Sequence, residues 1–500
     1  MKIKRFLNAT IIVLIVCLVA GIGSFIYNAQ NGYKINNRFV PIPLQFNPVD
    51  SSSAYQMKNA QITVFGGFVK GIQKNQDGTE SVLIRALSPV PAITVTGNSP
   101  EVISLQIENV NPDFYAKSIA GSNLQMEKIK VNTLELSIDL TAEKTVKIEP
   151  AQDSGSDNTG KYQYVILGDN RDGYDTFEQI IEQTNGKSPV FVIDNGDLVF
   201  SGKPNQYRLF DNVVAGCSTT LCTTLGNHDI RGNGRDTYTM LYGPAYYSFD
   251  FEDNHFVFLD SSRGWSQKQA ISDEQYVWLE KDLIKAQGKK IFVISHIPPH
   301  DPRSGTTSNE IPNLVNEIKS GKSWLEQKLD NYFENKNMNH GFQDPLEAEK
   351  FENLMSAYHV DTVYLSHIHS YLEYTKGGVR YLISGGAGAE LLSENSYYHY
   401  MIAKIGDVNT VTMVELPSPA NNYVTRYLAT AKLFAKAMFE ENPVSVVLII
   451  SGLVLLILVL SAKIYFWKKQ PIDKIGKWLK DIGKYAVKRF KELFGKPKIG

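Results

Sequence analysis

Five short clusters along this chain set a carboxylate, an amide or an imidazole at the end of an apolar run. Gly168-Asp169-Asn170-Arg171 follows Tyr164-Val165-Ile166-Leu167, and Gly196-Asp197-Leu198-Val199 follows Val190-Phe191-Val192-Ile193. Leu225-Gly226-Asn227-His228-Asp229 comes next, then Ser295-His296-Ile297-Pro298, then Ser366-His367-Ile368-His369. Carboxylate, neutral amide oxygen and imidazole are ligand types of divalent-metal centres. An Asn-His-Asp triplet gives such a centre a neutral oxygen beside a positioned imidazole. Taken singly, a Gly-Asp is a turn and a His-x-His pair is more often structural. The signal is that all five recur in order, each at a strand end.

The ordered set resembles the calcineurin-like metallophosphoesterase superfamily, over roughly residues 161–416. The resemblance implies an α/β fold, an αββα sandwich, with two divalent metal ions (Mn, Fe or Zn) a few Å apart. It makes Asp197 the bridging carboxylate, Asp169 and His369 ligands of the first ion, and Asn227, His296 and His367 ligands of the second. His228 matches the histidine that stabilises the transition state or protonates the leaving group, with Asp229 orienting its ring. The implied reaction is hydrolysis of phosphomonoesters or phosphodiesters by metal-bound hydroxide, without a Ser or Cys nucleophile.

The chain also departs from the family. The usual first motif is Asp-x-His, and Arg171 stands at that His position. A guanidinium has no lone pair for a metal, so the first ion has one protein ligand fewer, and Arg171 is expected to grip a phosphate oxygen. Phe200 stands where the purple acid phosphatase variant carries Tyr, which argues against that iron site; Ser366 replaces a usual Gly. Among the other histidines, 255, 340, 359 and 399 read as structural. His300, in Pro298-Pro299-His300-Asp301, is held as a substrate contact. Asp194 and Asn195 read as strand-end residues that satisfy backbone. Cys217 and Cys222 are a disulfide candidate if the domain lies in an oxidising compartment.

Around the clusters, residues 162–193 read as a β-α-β unit, with Phe177, Ile180 and Ile181 on one helical face. Ser272-Asp273-Glu274-Gln275 is a capping box that opens a helix ended by Gly288. Residues 303–345 read as a polar lid or specificity insertion. Upstream, residues 36–150 alternate or run apolar between turn signals, the pattern of a small all-β sandwich that serves as spacer or binding platform. Residues 151–160 read as a linker.

Two apolar segments flank all of this. Residues 1–27 read as an anchor or an uncleaved signal, with Cys17 inert inside it, and residues 443–467 as a transmembrane helix. Between the catalytic region and that helix, 417–442 reads as a helical stalk with Tyr427, Leu428, Ala431, Phe434 and Met438 on one side. Residues 468–500 carry eleven basic against three acidic residues, with Ile475, Leu479, Ile482, Ala486, Phe490 and Leu493 at helical spacing. That pattern fits either an interfacial helix on anionic lipid or a solvated basic tail. Lys2, Lys4 and Arg5 flank the first span, and Lys463 lies near the end of the second. The chain total of −1 therefore leaves residues 28–442 at −13. So acidic a region is a poor nucleic-acid binder. The positive-inside rule places both termini in the cytoplasm and the catalytic region outside. The expected partners are membrane lipid and a phosphorylated small-molecule or lipid substrate. The alternative is a surface receptor or binding protein with a degenerate phosphatase fold, motivated by Arg171.

Overall fold

The protein is described from a computed structural model. It describes residues 10–23, 39–75, 78–120, 124–141, 144–150, 160–262, 270–303, 340–391, 396–416, 423–441 and 443–467, with 480, 481 and 484. Linker residues 151–159, the 304–339 part of the insertion and nearly all of the basic tail lie outside the described residues.

Strand Tyr162–Leu167 shows how the sequence builds the catalytic layers. Residue period two sends Val165 and Leu167 to one face and Tyr162, Tyr164 and Ile166 to the other, and both faces are buried. That double burial is why the run reads as continuously apolar. The strand pairs in parallel with Phe191–Asp194, which pairs in parallel with Thr220–Thr223. On its other side run antiparallel His399–Ile405 and Thr410–Glu415, completing a five-stranded sheet. A six-stranded sheet runs in the order Tyr247–Phe251, Asn254–Leu259, Lys290–Ser295, Thr362–Leu365, Val379–Ser384 and Tyr371–Lys376. Its four central strands are parallel.

Between the sheets lies an aromatic layer. Tyr164 stacks on Phe191 at 4.9 Å, meets Phe256 edge-on at 5.3 Å, and shares a 2.8 Å hydroxyl contact with Tyr364 of the other sheet. Helices Tyr174–Lys187, Pro204–Val214 and Gly234–Tyr242 cover the outer face of the first sheet. Asp273–Lys285 and Pro345–Ala357 cover that of the second. The order is helix, sheet, sheet, helix. Ser272 caps the first of these last two helices by accepting the Gln275 N–H, as the capping box requires.

Residues 39–150 form two further sheets, of six and five strands, closed over one core that includes Ile62, Val64, Ile84, Leu105 and Leu136. These sheets and the catalytic layers belong to one compact unit, Tyr33–Ala437. Their junction is chemically specific. Phe68 and Leu87 enter the aromatic layer, and the Arg85 guanidinium lies over the Tyr242 ring. Trp278 Nε1 donates to Pro48 O at 2.7 Å, and Ser51 Oγ to Ser248 O at 2.6 Å. Asn109 is the centre of the junction. Its amide nitrogen donates to Ala86 O and Leu221 O, its oxygen accepts the Leu221 N–H, and its φ of +64° suits Asn better than most residues. A free-standing spacer has no need of such a joint.

The expected Cys217–Cys222 disulfide is not formed. Cys217 and Cys222 are both free thiols. Cys217 packs into the helical side of the first sheet, whereas Cys222 points into the aromatic layer on the opposite side. Cys222 lies in strand Thr220–Thr223 and Cys217 before it, and the two thiols enter different core clusters.

Helix Tyr423–Glu441 differs from the expected stalk face. Leu433 and Phe434 pack on the helical layer, and Arg426 bonds Gly388 O and Tyr398, while Tyr427 and Leu428 are exposed. The second compact unit, Met1–Gly32 with Met438–Gly500, contains helices Thr10–Gly23 and Pro443–Trp467. Among the described residues one helix, over Val446–Ile464, is long and apolar enough to cross a membrane; Thr10–Gly23 is shorter. The two touch at Gly452, where a Cβ would stand 2.9 Å from Leu18 Cδ2.

Asn109→Ala leaves the Leu221 N–H and two carbonyls without partners in a buried place, and each such group costs about 1–3 kcal/mol. We expect a clear fall in thermal unfolding temperature and faster hydrogen exchange at the Leu221 amide. Unchanged exchange there contradicts the assigned role of Asn109.

Candidate metal centre

The five clusters converge at the strand ends of the two sheets, the edge where α/β sheets hold ligands. There the backbone departs from ordinary geometry. Asp169, Arg171, Asp197 and His367 have φ of +59°, +29°, +56° and +67°. None is Gly, and such conformations survive where surrounding structure imposes them. Hydrogen bonds impose them here: Asp169 N–H donates to Gly196 O, Arg171 N–H to Asp197 O, and Ala389 N–H to Asp169 O. Asn195 ties the sheets together, donating to Ser295 O and Tyr364 O and accepting from Thr224 Oγ1. Two glycines leave the room: a Cβ at Gly226 would collide with the Asp197 carboxylate, and one at Gly385 would sit 2.7 Å from Asp169 Oδ2.

Two donor groups result, each with its ligand atoms within 4.8 Å of one another: Asp197, His296 and His367; and Asp169, Asp197 and His369. Asp197 is common to both. Asn227 joins the first group, its Oδ1 lying 3.3 Å from His296 Nε2. The imidazoles are oriented from behind. His296 Nδ1 donates to Asn195 O at 2.7 Å, and His369 Nδ1 to Glu390 O at 2.5 Å. A carbonyl can only accept, so the proton is on Nδ1 and the lone pair of Nε2 faces the centre, the usual arrangement behind metal-binding histidine.

That arrangement tests whether the residues suit a cation. His296 Nε2 lies 3.3 Å from Asp197 Oδ1, and His369 Nε2 lies 3.4 Å from Asp169 Oδ1. Asp169 Oδ1 is buried with no hydrogen-bond donor. Lone pairs facing carboxylate oxygens in a buried site repel unless positive charge lies between them. The donor set fits divalent ions.

Electrostatics point the same way. Burial alone would raise the Asp197 carboxyl, but His296, His228, Arg171 and His367 outweigh it and hold it well below the usual range. Burial, reinforced by His296, holds His367 neutral, as a metal ligand must be. Burial, with Arg171 and Arg231 nearby, also lowers His228. Buried Asp194 and Asp229 are pushed far upward, by burial first and then by neighbouring carboxylates.

Residues 162–371 match the family model described as calcineurin-like phosphoesterase. That stretch is similar to calcineurin-like phosphoesterase domains. Over 131 residues the chain is 31% identical to a probable glycerophosphodiester phosphodiesterase of Arcobacter nitrofigilis, covering 25% of this chain and 47% of that protein. Over 111 residues it is 27% identical to a probable cyclic nucleotide phosphodiesterase of Fibrobacter succinogenes, covering 21% and 41%. The chain thus spans less than half the length of these curated relatives. Among solved structures, the purple acid phosphatase of yellow lupin seeds is similar at 13% identity and a TM-score of 0.39, covering 71% of this chain and 77% of that one.

Within residues 162–371, three residues sit differently from expectation. Asp229 does not orient His228. Its oxygens accept the Val199 N–H at 3.0 Å and the Gly226 N–H at 2.8 Å, and the His228 ring is held instead by Phe200 O, 2.6 Å from Nδ1. The short Asp side chain turns back to satisfy the two loops it joins. His300 is paired with Glu352 at 2.9 Å and lies 3.2 Å from Lys376 Nζ, in an ion cluster on the second sheet's helical side. That pairing assigns it a structural place and not the expected substrate contact. His340, read from sequence as structural, has its ring 5.5 Å from that of His367.

Arg171 is at the centre of the site. Its guanidinium reaches His228 Nε2 at 2.8 Å, His369 Nε2 at 3.0 Å and Glu390 at 2.8 Å. Glu390 and Arg231 went unnoticed in the sequence. The only cue to either was position, Glu390 just beyond Gly385-Gly386-Ala387-Gly388 and Arg231 three residues after His228.

Asp229→Asn replaces one acceptor by an amide N–H that faces a backbone N–H. We expect lower stability, by about 1–3 kcal/mol per unsatisfied group, together with loss of bound metal. A variant of normal stability and metal content that loses only turnover would restore the ring-orienting role.

Proposed function

We propose that this chain is a membrane-anchored phosphoric ester hydrolase that uses two divalent cations, with its active site outside the cytoplasm. The observation that carries the reading is the sharing of Asp197 between two donor groups, beside the orphaned Asp169 Oδ1. Asp169, Asp197 and His369 would hold one ion; Asp197, Asn227, His296 and His367 the other. When bound, such ions supply Lewis acidity and neutralise charge at a phosphoryl group. The chain's own residues do the rest. Asn195 and Glu390 carbonyls fix the imidazoles before any ligand arrives. His228, committed through Nδ1 to Phe200 O, can hold or release a proton only at Nε2. Arg171 lies at that same nitrogen and offers N–H donors to a phosphate oxygen.

The names of the relatives point to phosphodiesters. The 19-residue apolar helix over Val446–Ile464, its contact with Thr10–Gly23 and the basic flanks support two spans with both termini inside. One observation favours a second reading, a binding protein: Arg171 and a cation compete for the same lone pair on His369. Metal content separates the two readings, since a binding module holds less than one equivalent.

Asp197→Asn should abolish turnover of p-nitrophenyl esters and release metal, because both ions lose a charged ligand together. His228→Ala should keep its metal while kcat falls by about two to four decades, the scale of general acid–base work. Elemental analysis beside steady-state rates reads both; metal loss in His228→Ala refutes the division of roles.

A further inference from the structure

Arg231 has no part in the ligand set, yet it converges on the same imidazole as Arg171. Its NH2 lies 2.9 Å from His228 Nε2, and its NH1 donates to Phe200 O at 3.3 Å. Arg171 reaches that Nε2 at 2.8 Å. Both guanidiniums lie over the Phe200 ring, 5.6 and 5.8 Å from its centroid. Two cations therefore share one lone pair and one aromatic ring. Their neutralisation is unequal. Arg171 is paired with Glu390 at 2.8 Å, and its Nε, buried without a hydrogen-bond acceptor, lies 4.0 Å from Asp197 Oδ2. Among the described residues, Arg231 hydrogen-bonds to a carbonyl and an imidazole and to no carboxylate. Like charges held this close are costly unless an anion joins them, and planar N–H donors suit phosphate oxygens.

We propose that Arg171 and Arg231 clamp the second negative charge of a phosphomonoester, so that the site favours monoesters over diesters. The proposal rests on the phosphoesterase reading of the same centre and narrows it. A phosphodiester offers two unesterified oxygens and one charge. A phosphomonoester offers three, and near neutral pH most of a second charge. Placed at the clamp, that third oxygen receives N–H donors from both arginines. A second ester group there brings no charge and leaves the Arg231 guanidinium without an anion, the kind of mismatch by which sites reject substrates strongly. Hydrolysis breaks the ester P–O bond, forms a new one to a water oxygen, and releases the alcohol with a proton. The orthophosphate left behind still carries the charge that the clamp recognises, so it is a competitive inhibitor.

The test uses the full chain in detergent, loaded with manganese, and has two readouts. Calorimetric titration with orthophosphate and with dimethyl phosphate reads the clamp without turnover. Wild type should bind orthophosphate at least about tenfold more tightly, and Arg231→Ala should lose most of that ratio while Arg231→Lys keeps part of it. In parallel, the kcat/KM ratio of p-nitrophenyl phosphate to bis(p-nitrophenyl) phosphate should fall about tenfold in Arg231→Ala, with metal content and unfolding temperature unchanged. Equal affinity for the two anions in wild type, or equal loss of both substrates in Arg231→Ala, overturns the clamp. Selective orthophosphate binding by a wild type that hydrolyses neither ester instead overturns the phosphoesterase reading and leaves the clamp standing.

Discussion

Asp197 is fully buried, turned into a left-handed backbone conformation, and surrounded by three imidazoles and a guanidinium. A lone buried carboxylate is held charged only by opposite charge close by. Arg171, its Nε 4.0 Å from Asp197 Oδ2, supplies part of that charge, and cations at the two donor groups would supply more. Most of the site's construction serves this one group. Gly226 leaves room for it, the His228 N–H bonds its Oδ1, and the Arg171 N–H takes its backbone carbonyl. Removing Asp197 would cut the link between the two donor groups.

The sheets exist to deliver these residues together. Parallel pairing brings Asp169 and Asp197 to adjacent strand ends, and likewise His296 and His367 in the second sheet. Asn195 bonds carbonyls at two strand ends of the second sheet and so fixes one set against the other. The N-terminal sheets act on the same frame from outside. Asn109 completes the edge strand Thr220–Thr223, whose chain continues directly into Asn227 and His228. The binding frame and the N-terminal sheets are thus one mechanical unit.

Much of this was legible in the sequence, because the chemistry lies where apolar strands end. Strand ends, ligand types and their order are local signals, and so are the Ser272 cap and the alternation at Tyr162–Leu167. Side-chain direction is not local. The sequence could not show that Asp229 turns back to the Val199 and Gly226 amides, since Asn-His-Asp is equally compatible with a bond to the ring. Nor could it show that His300 is drawn away by Glu352, fifty-two residues later. Spacing makes a Cys217–Cys222 disulfide look feasible, and only the packing shows that the two thiols enter different core clusters on the two sides of the sheet. Arg231 was invisible for a related reason. A lone arginine in a polar loop gains meaning only when Arg171 and Phe200 arrive beside it.

The central claim is that two cations share Asp197. Anomalous scattering from crystals of the manganese-loaded chain tests it most directly. Two peaks should flank the Asp197 carboxylate, one beside Asp169 and His369 and the other beside Asn227, His296 and His367. A single peak at the second group, with the Arg171 guanidinium still bonded to His369 Nε2, would contradict it.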